Sequence, residues 1–230
     1  MILAGFDLET TGFVGSKDHV VQYSFQLWNA VECLTDETHL CDPGVPIENS
    51  EIHGVTDEIV AGAVSERDAL ISIDSLFRAC FQNHIPVVIM NAAFDVTFYR
   101  DALRHHYEIE PTSDFLIVDP MVIDKQMDKW RPGKRKLIDL CKTYGVGISE
   151  GFHDAWVDVR ASIKLARIML TKFGLDGGFA KLHSAQVMWY YQQQKSLYEY
   201  FVSTDNEAQH TVGVGWPINH GLMEMVLCGS

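Results

Sequence analysis

The 230-residue sequence lacks the features that would mark a secreted, metal-finger or membrane protein. Its five cysteines are odd in number and contain no CxxC pair, so neither a disulfide framework nor a zinc site is indicated. No hydrophobic run is long enough to span a membrane, and the N-terminus lacks the basic-then-apolar pattern of a signal peptide. We therefore expect a cytoplasmic globular protein with no membrane partner.

Basic residues are also scarce, with 18 Lys and Arg against 31 Asp and Glu and a net charge of −13. This balance argues against a protein that coats nucleic acid through a general positive surface. The exception is residues 125–136, KQMDKWRPGKRK, which hold six basic residues and one acid and are called the basic segment below. Two interpretations of the basic segment stay open: a solvated loop, or a loop that contacts phosphate groups through Arg131, Lys134 and Arg135.

Hydropathy patterns predict strands that first cluster and then alternate with helices, which is typical of an α/β fold with a mixed sheet. Five strands are predicted, in residues 1–8, 19–30, 31–40, 85–91 and 114–120. A domain of residues 1–174 is expected to contain them. Residues 175–230 are expected to form an aromatic-rich helix and an irregular tail that pack on this domain, because about 55 residues rarely bury a core alone.

The stretch GFDLETTGF at residues 5–13 places two acids at the end of an apolar strand. Side chains at i and i+2 of a strand point to the same face, so Asp7 and Glu9 should stand side by side and repel each other. Such a pair is unusual unless a cation compensates it.

Two further acids can converge on this strand end. Asp95 lies just inside a predicted helix that follows a buried strand, and Asp158 lies in the first turns of a long helix, with His153 five residues ahead. Four carboxylates at one sheet edge suit two divalent cations, Mg²⁺ or Mn²⁺, and phosphoryl chemistry. Taken singly, Asp95 has another explanation as a helix-dipole acid, and His153 as a surface histidine.

GFDLETTG, NAAFD and HDAWVD resemble, in order and spacing, the three motifs of the DEDDh 3′→5′ exonucleases, over residues 1–172. IHGVT at residues 52–56 is similar to a segment of the branch that contains the proofreading epsilon subunits. The resemblance implies an RNase H-like fold with a five-stranded mixed sheet flanked by helices. Met90 stands where many relatives carry a histidine, which leaves open any polar contact from that position.

The resemblance also implies roles for individual residues. Asp7, Glu9, Asp95 and Asp158 would hold the metals, and His153 would be the general base. Five residues would contact the terminal nucleotide. They lie at the end of the first strand, in the turn after it and in the second motif, and are Leu8, Thr10, Thr11, Phe13 and Asn91.

The function that the resemblance implies is hydrolysis of single-stranded DNA from its 3′ end, in proofreading or repair. Two alternatives stay open: an exoribonuclease of the oligoribonuclease or RNase T kind, and a module that mainly docks to a DNA polymerase or a sliding clamp. QKSLYEYF at residues 194–201 resembles a clamp-binding pattern but lies within a predicted helix, where this spacing arises easily.

Overall fold

The computed structural model describes residues 1–147, 155–223 and 226 and has a mixed α/β architecture. The strands are β1 (Leu3–Thr10), β2 (Val20–Trp28), β3 (Cys33–Asp42), β4 (Val64–Ser65), β5 (Val87–Val88), β6 (Ile117–Val118), β7 (Gly213–Val214) and β8 (Gly221–Leu222). The helices are α1 (Ser50–His53), α2 (Asp57–Val60), α3 (Glu66–Gln82), α4 (Ala92–Tyr107), α5 (Pro120–Met127), α6 (Leu137–Tyr144), α7 (Ala155–Phe173) and α8 (Phe179–Ser203), with a 3₁₀ turn at Glu207–Thr211. Within the described ranges, no helix has the length and apolar character needed to cross a bilayer.

The main sheet has the strand order β4-β3-β2-β1-β5-β6. β1 pairs antiparallel with β2 and parallel with β5, so the sheet is mixed as predicted. The predicted number of five strands was wrong, because β4 adds a sixth strand parallel to the end of β3. β4 contains two residues, which is too short for the period-2 alternation that identifies a strand in a sequence.

The two faces of β1 bury different helices. Ala4, Phe6 and Leu8 join the core that includes residues of α3 and α4, whereas Leu3 joins the core built largely from α6 and α7. On the same face as Leu3, Gly5 lets α7 approach the strand closely. A Cβ at position 5 would lie 2.8 Å from Val159 Cγ1 and 2.6 Å from Ile163 Cδ1. The odd-numbered face of β1 is therefore the face that meets α7.

Two helix ends are fixed by contacts with residues close in sequence. The side chain of Ser65 accepts a hydrogen bond from the backbone N–H of Asp68 at the start of α3, at 3.2 Å. Gly145 ends α6 with a positive φ of 70°, a conformation that glycine adopts without steric cost. These local signals could be read from sequence because each depends on neighbouring residues alone.

The C-terminal helix α8 covers the edge of the sheet at β6. His183 Nδ1 accepts a hydrogen bond from the Ile117 N–H at 3.1 Å. Gln186 accepts from the Asp119 N–H and donates to the Ile117 carbonyl, each at 2.8 Å. Side chains of α8 thus bind the backbone groups that a neighbouring strand would otherwise bind.

Candidate active site

Asp7 and Glu9 lie on the face of β1 that meets α7. β1 pairs with β2 through Glu9, opposite Gln22, and the register shifts at a bulge between Glu9 and Thr10. Bulges often occur next to active sites, where they end regular pairing and redirect a strand. Here the bulge follows the second acid directly, near the end of the β1–β2 pairing.

Asp158 completes a group of three carboxylates. It lies in the first turn of α7, the helix that Gly5 allows to pack closely on β1. One carboxylate oxygen from each of Asp7, Glu9 and Asp158 lies within 4.8 Å of the other two. We call these three residues the carboxylate cluster.

Asp95 joins the site from α4, on the other side of β1. It is 3% exposed, and its Oδ1 accepts a hydrogen bond from the backbone N–H of Leu8 at 3.1 Å. α4 begins after Asn91, which adopts a left-handed conformation with φ 63°. Asp95 is therefore fixed to β1 at the residue between Asp7 and Glu9, although it lies outside the carboxylate cluster.

Burial and repulsion between the acids raise the pKa values of Asp7 and Asp95. Burial is the largest cause that raises the pKa of Asp7 well above its ordinary value, followed by the negative charge of Asp95. Glu9 and Asp158 raise the pKa of Asp7 further. Burial also raises the pKa of Asp95, against the hydrogen bond from Leu8, which favours the ionised form.

These residues fit divalent cations. Carboxylate oxygens are the ligands that hard cations such as Mg²⁺ and Mn²⁺ prefer. Cations bound between the acids would remove the repulsion that raises the pKa of Asp7. The donor set of the carboxylate cluster thus matches a divalent metal site.

The predicted general base, His153, falls in residues 148–154, which lie outside the described residues. α7 begins at Ala155, two positions later. The role of His153 stays a prediction.

The residues expected to hold the terminal nucleotide lie around the turn after β1, where several polar groups already have partners. The N–H of Leu8 donates to Asp95, and the N–H of Thr11 donates to the His19 carbonyl at 2.8 Å. The Thr10 hydroxyl donates to the Gly12 carbonyl at 2.6 Å. Nucleotide contacts by Leu8, Thr10 and Thr11 stay predictions. The Leu8 N–H binds α4, and the donor groups of Thr10 and Thr11 serve the turn itself.

Phe13 and Asn91 line a cavity of ≈ 350 Å³ at the start of α4. Phe13 is 82% exposed and packs edge-on against Phe94, with ring centroids 6.4 Å apart. Tyr190 and Gln194 of α8 form the opposite wall. We call this space the nucleotide cavity; its exposed ring and amide groups can contact a base.

In the basic segment, two of the three residues expected to contact phosphate bind a buried acid instead of facing solvent freely. Asp124 is fully buried, and its Oδ2 accepts from Arg135 Nε at 2.7 Å and from Arg131 Nη2 at 3.0 Å. Tyr144 donates to Asp124 Oδ1 at 2.7 Å. The structure gives both arginines a folding role, while Lys134 is exposed; contacts of all three to phosphate stay predictions.

One supporting residue was missed in the sequence. Asp119 is 1% exposed and accepts hydrogen bonds from the backbone N–H groups of Asn91 and Ala92, at 3.2 and 2.9 Å. It also caps α5 through the N–H of Met121 at 2.9 Å. The Asp-Pro pair at 119–120 is the usual signal of a helix start, but nothing in it indicates the contact with α4.

A second supporting chain of contacts involves the IHGVT segment. His53 is buried, and its Nδ1 accepts from the Val55 N–H at 3.1 Å, which leaves Nε2 to donate to Asn49 Oδ1 at 3.3 Å. Asn49 in turn donates to the Thr10 carbonyl at 2.9 Å. This chain fixes the backbone directly after Glu9.

The sequence matches the family model RNase_T, described as an exonuclease, over residues 5–166. Among curated proteins, it is similar to the PolC-type DNA polymerase III of Pediococcus pentosaceus, with 28% identity over 167 residues. That match covers 72% of this chain but 11% of the polymerase, so the chain spans about a tenth of the relative's length.

Solved structures share the fold. Exonuclease I of E. coli in complex with a dA16 oligonucleotide aligns with a TM-score of 0.60 and 21% identity, over 74% of this chain and 41% of that one. Exonuclease X in complex with 5′-overhanging duplex DNA aligns with a TM-score of 0.51 and 19% identity, over 80% of this chain and 98% of that one. At these identities the alignments show a common fold.

Proposed function

The chain belongs to the exonuclease family, and from this premise we propose that it is a 3′→5′ exonuclease that acts on single-stranded DNA and releases nucleoside 5′-monophosphates. The observation that carries the proposal is the carboxylate cluster, in which oxygens of Asp7, Glu9 and Asp158 lie within 4.8 Å of one another. An oligonucleotide bound to exonuclease I of E. coli supports single-stranded DNA as the substrate class.

In this proposal, Asp7, Glu9 and Asp158 hold two divalent cations, Mg²⁺ or Mn²⁺, with Asp95 in support. The cations, when bound, neutralise charge at the scissile phosphate and acidify the attacking water. Asp95 adds negative charge from a fixed position, because the Leu8 N–H holds one of its oxygens. His153 accepts the proton of the attacking water, a step worth roughly 10²–10⁴ in rate.

The terminal nucleotide occupies the nucleotide cavity in this proposal. Phe13 offers a solvent-exposed ring for contact with a base, supported from behind by Phe94. Asn91 contributes a side-chain amide at the start of α4, four residues before Asp95. An unpaired 3′ end fits this cavity better than a duplex, because a base must leave its partner to reach an exposed ring.

We infer proofreading or repair as the setting, with a DNA polymerase as the associated protein. The similarity to PolC-type polymerases supports this setting, since it places a related segment inside a DNA polymerase. Cleavage of RNA ends is the alternative that the same site chemistry allows. The acids do not distinguish DNA from RNA, so the two alternatives differ in the contacts that the protein makes with the sugar.

One experiment tests reaction and substrate together. Labelled single-stranded DNA, duplex DNA with a mismatched 3′ end and a short RNA are each incubated with Mg²⁺ or Mn²⁺, and products are resolved by length. We expect ladders that shorten from the 3′ end on the two DNA substrates. Faster cleavage of the RNA would instead assign the chain as an exoribonuclease.

A matched pair of variants links the result to the site. Asp158→Asn removes one charge from the carboxylate cluster and should abolish the ladder. Asp176→Asn removes one charge from an exposed turn after α7 and should leave the ladder intact. Equal activity of both variants would contradict the proposal.

A further inference from the structure

A second concave surface lies beside the nucleotide cavity, between α5, the basic segment and α8. It has a volume of ≈ 810 Å³ and is the larger of the two. Its walls carry Lys125 and Lys129, the aromatic residues Trp130 and Tyr200, and a row of glutamines on α8. We call it the basic-aromatic groove.

The groove combines exposed rings with positive charge. Trp130 is 86% exposed and Tyr200 is 60% exposed, which is unusual for such large apolar side chains. Lys129 Nζ lies 5.2 Å from the centre of the Trp130 ring. Rings that stack on bases, interleaved with cations that contact phosphates, are the common composition of a surface that binds single strands.

Gln193 of α8 also lines the groove. Gln193 Nε2 donates to the Val122 carbonyl at 3.0 Å, which fixes the orientation of the amide. Within the described part of the chain, Gln193 Oε1 is buried and has no hydrogen-bond partner. The Gln193 amide is therefore a fixed part of the groove wall.

The groove and the nucleotide cavity are continuous through one side chain. Gln194 lines both, and it is held in place by hydrogen bonds to the Tyr190 hydroxyl at 3.2 Å and the Gly213 carbonyl at 3.3 Å. A strand that leaves the nucleotide cavity along α8 therefore enters the groove directly.

From these observations we propose that the basic-aromatic groove binds the nucleotides on the 5′ side of the terminal one, with Trp130 and Tyr200 stacking on bases and Lys129 contacting phosphate. This inference rests on the proposed function, because the 3′ end at the carboxylate cluster gives the strand its direction. α8 lies beyond residues 5–166, which the family model matches, so one wall of the groove comes from the C-terminal part of the chain.

Charge favours a nucleic acid over a protein as the occupant. The net charge of the chain is −13, and the basic segment holds six of its 18 basic residues, so a polyanion finds few other places to bind. Gln194, Leu197 and Tyr200 also belong to the QKSLYEYF stretch, but they lie within the regular helix α8 rather than in an extended segment.

The test compares strand lengths. KM and kcat are measured for dT16 and for the p-nitrophenyl ester of thymidine 5′-monophosphate, which carries the terminal nucleotide alone, with wild type, Trp130→Ala, Tyr200→Ala and Phe81→Ala. Phe81 is a matched control, 48% exposed on α3 and away from the groove. Thermal unfolding of each variant verifies that it is folded.

We expect Trp130→Ala to raise KM for dT16 about tenfold, in the range of a lost stacking contact, with a much smaller effect on the nitrophenyl ester. Tyr200→Ala should act in the same direction, and Phe81→Ala should match wild type on both substrates. Lys129→Ala should reduce the slope of log KM against log salt for dT16 by roughly 0.7.

The outcomes separate the two proposals. If wild type cleaves neither substrate, the proposed function fails. If wild type cleaves both but Trp130→Ala and Tyr200→Ala keep the wild-type KM for dT16, the proposed function stands and the groove is not part of the DNA path. The same unchanged KM, with loss of binding to a purified sliding clamp, would assign the groove to a protein partner and overturn the inference.

Discussion

The Asp95 carboxylate and the Leu8 backbone N–H are joined by a hydrogen bond of 3.1 Å, although the residues lie 87 positions apart. The bond connects the first turn of α4 to β1 at the residue between Asp7 and Glu9. The second motif is thus positioned by the backbone of the first, rather than by a neighbour in its own helix.

A comparison of Asp95→Asn with Asp95→Ala should separate the effect of the negative charge from the effect of the hydrogen bond to Leu8. Both variants should lose hydrolysis, because each removes a negative charge next to the carboxylate cluster. Asp95→Ala should also lower the free energy of unfolding by about 1–3 kcal/mol, since the Leu8 N–H is left buried without an acceptor. Urea unfolding measures this difference, and equal stability of the two variants would show that the hydrogen bond contributes little.

Asp7→Asn should abolish hydrolysis while making the metal-free protein more stable. The raised pKa of Asp7 means that its ionised form is unfavourable in the folded state, and asparagine removes that charge. Wild type at Mn²⁺ concentrations 100 times Kd should gain about 2.7 kcal/mol, and the variant much less. Thermal unfolding in EDTA and in Mn²⁺ provides both values; more than a tenth of wild-type activity in the variant would contradict the role of Asp7.

His153→Ala should lower turnover by roughly 10²–10⁴ and leave substrate binding in place, because a proton acceptor is removed and no metal ligand is lost. In wild type, kcat should rise with pH through the histidine range, and this limb should disappear in the variant. A variant with the wild-type pH profile would reassign proton acceptance to another group.

The arginines and Lys134 of the basic segment should behave differently. A double variant that combines Arg131→Ala and Arg135→Ala leaves the buried Asp124 charge uncompensated. Its free energy of unfolding should fall by about 3–5 kcal/mol. Adding Asp124→Asn to this double variant should recover part of the loss. Lys134→Ala should change stability by less than about 0.5 kcal/mol and reduce the salt slope of binding by roughly 0.7.

Stability should depend on pH through His183. Burial lowers the pKa of His183 below its ordinary value of 6.5, and the neutral ring accepts from the Ile117 N–H. As pH falls below about 6.5, the unfolded chain binds a proton that the folded protein excludes, so the free energy of unfolding should decrease. His183→Asn keeps an acceptor without titrating and should flatten this decrease, whereas His84→Asn, at an exposed histidine, should retain it.

The sequence was sufficient where structure depends on local spacing. The alternation of β1 predicts that Asp7 and Glu9 share a face, and Ser65 and Gly145 mark helix ends through contacts with near neighbours. Contacts between distant segments were not predictable in this way. The pairing of Arg131 and Arg135 with Asp124 depends on how the basic segment folds back onto α5, and the side-chain contacts of α8 with β6 depend on where a distant helix docks.

The close approach at Gly5 has a consequence for the geometry of the metal site. Val159 follows Asp158 directly, and a methyl group at position 5 would lie 2.8 Å from Val159 Cγ1. Val159 and Ile163 are β-branched and buried, so they have few other rotamers, and α7 would have to move outward with its carboxylate. A ligand set tolerates displacements of about 0.5 Å. The distance between Asp158 and the acids of β1 therefore depends on the absence of a side chain at position 5. Even the methyl group of alanine there would increase this distance.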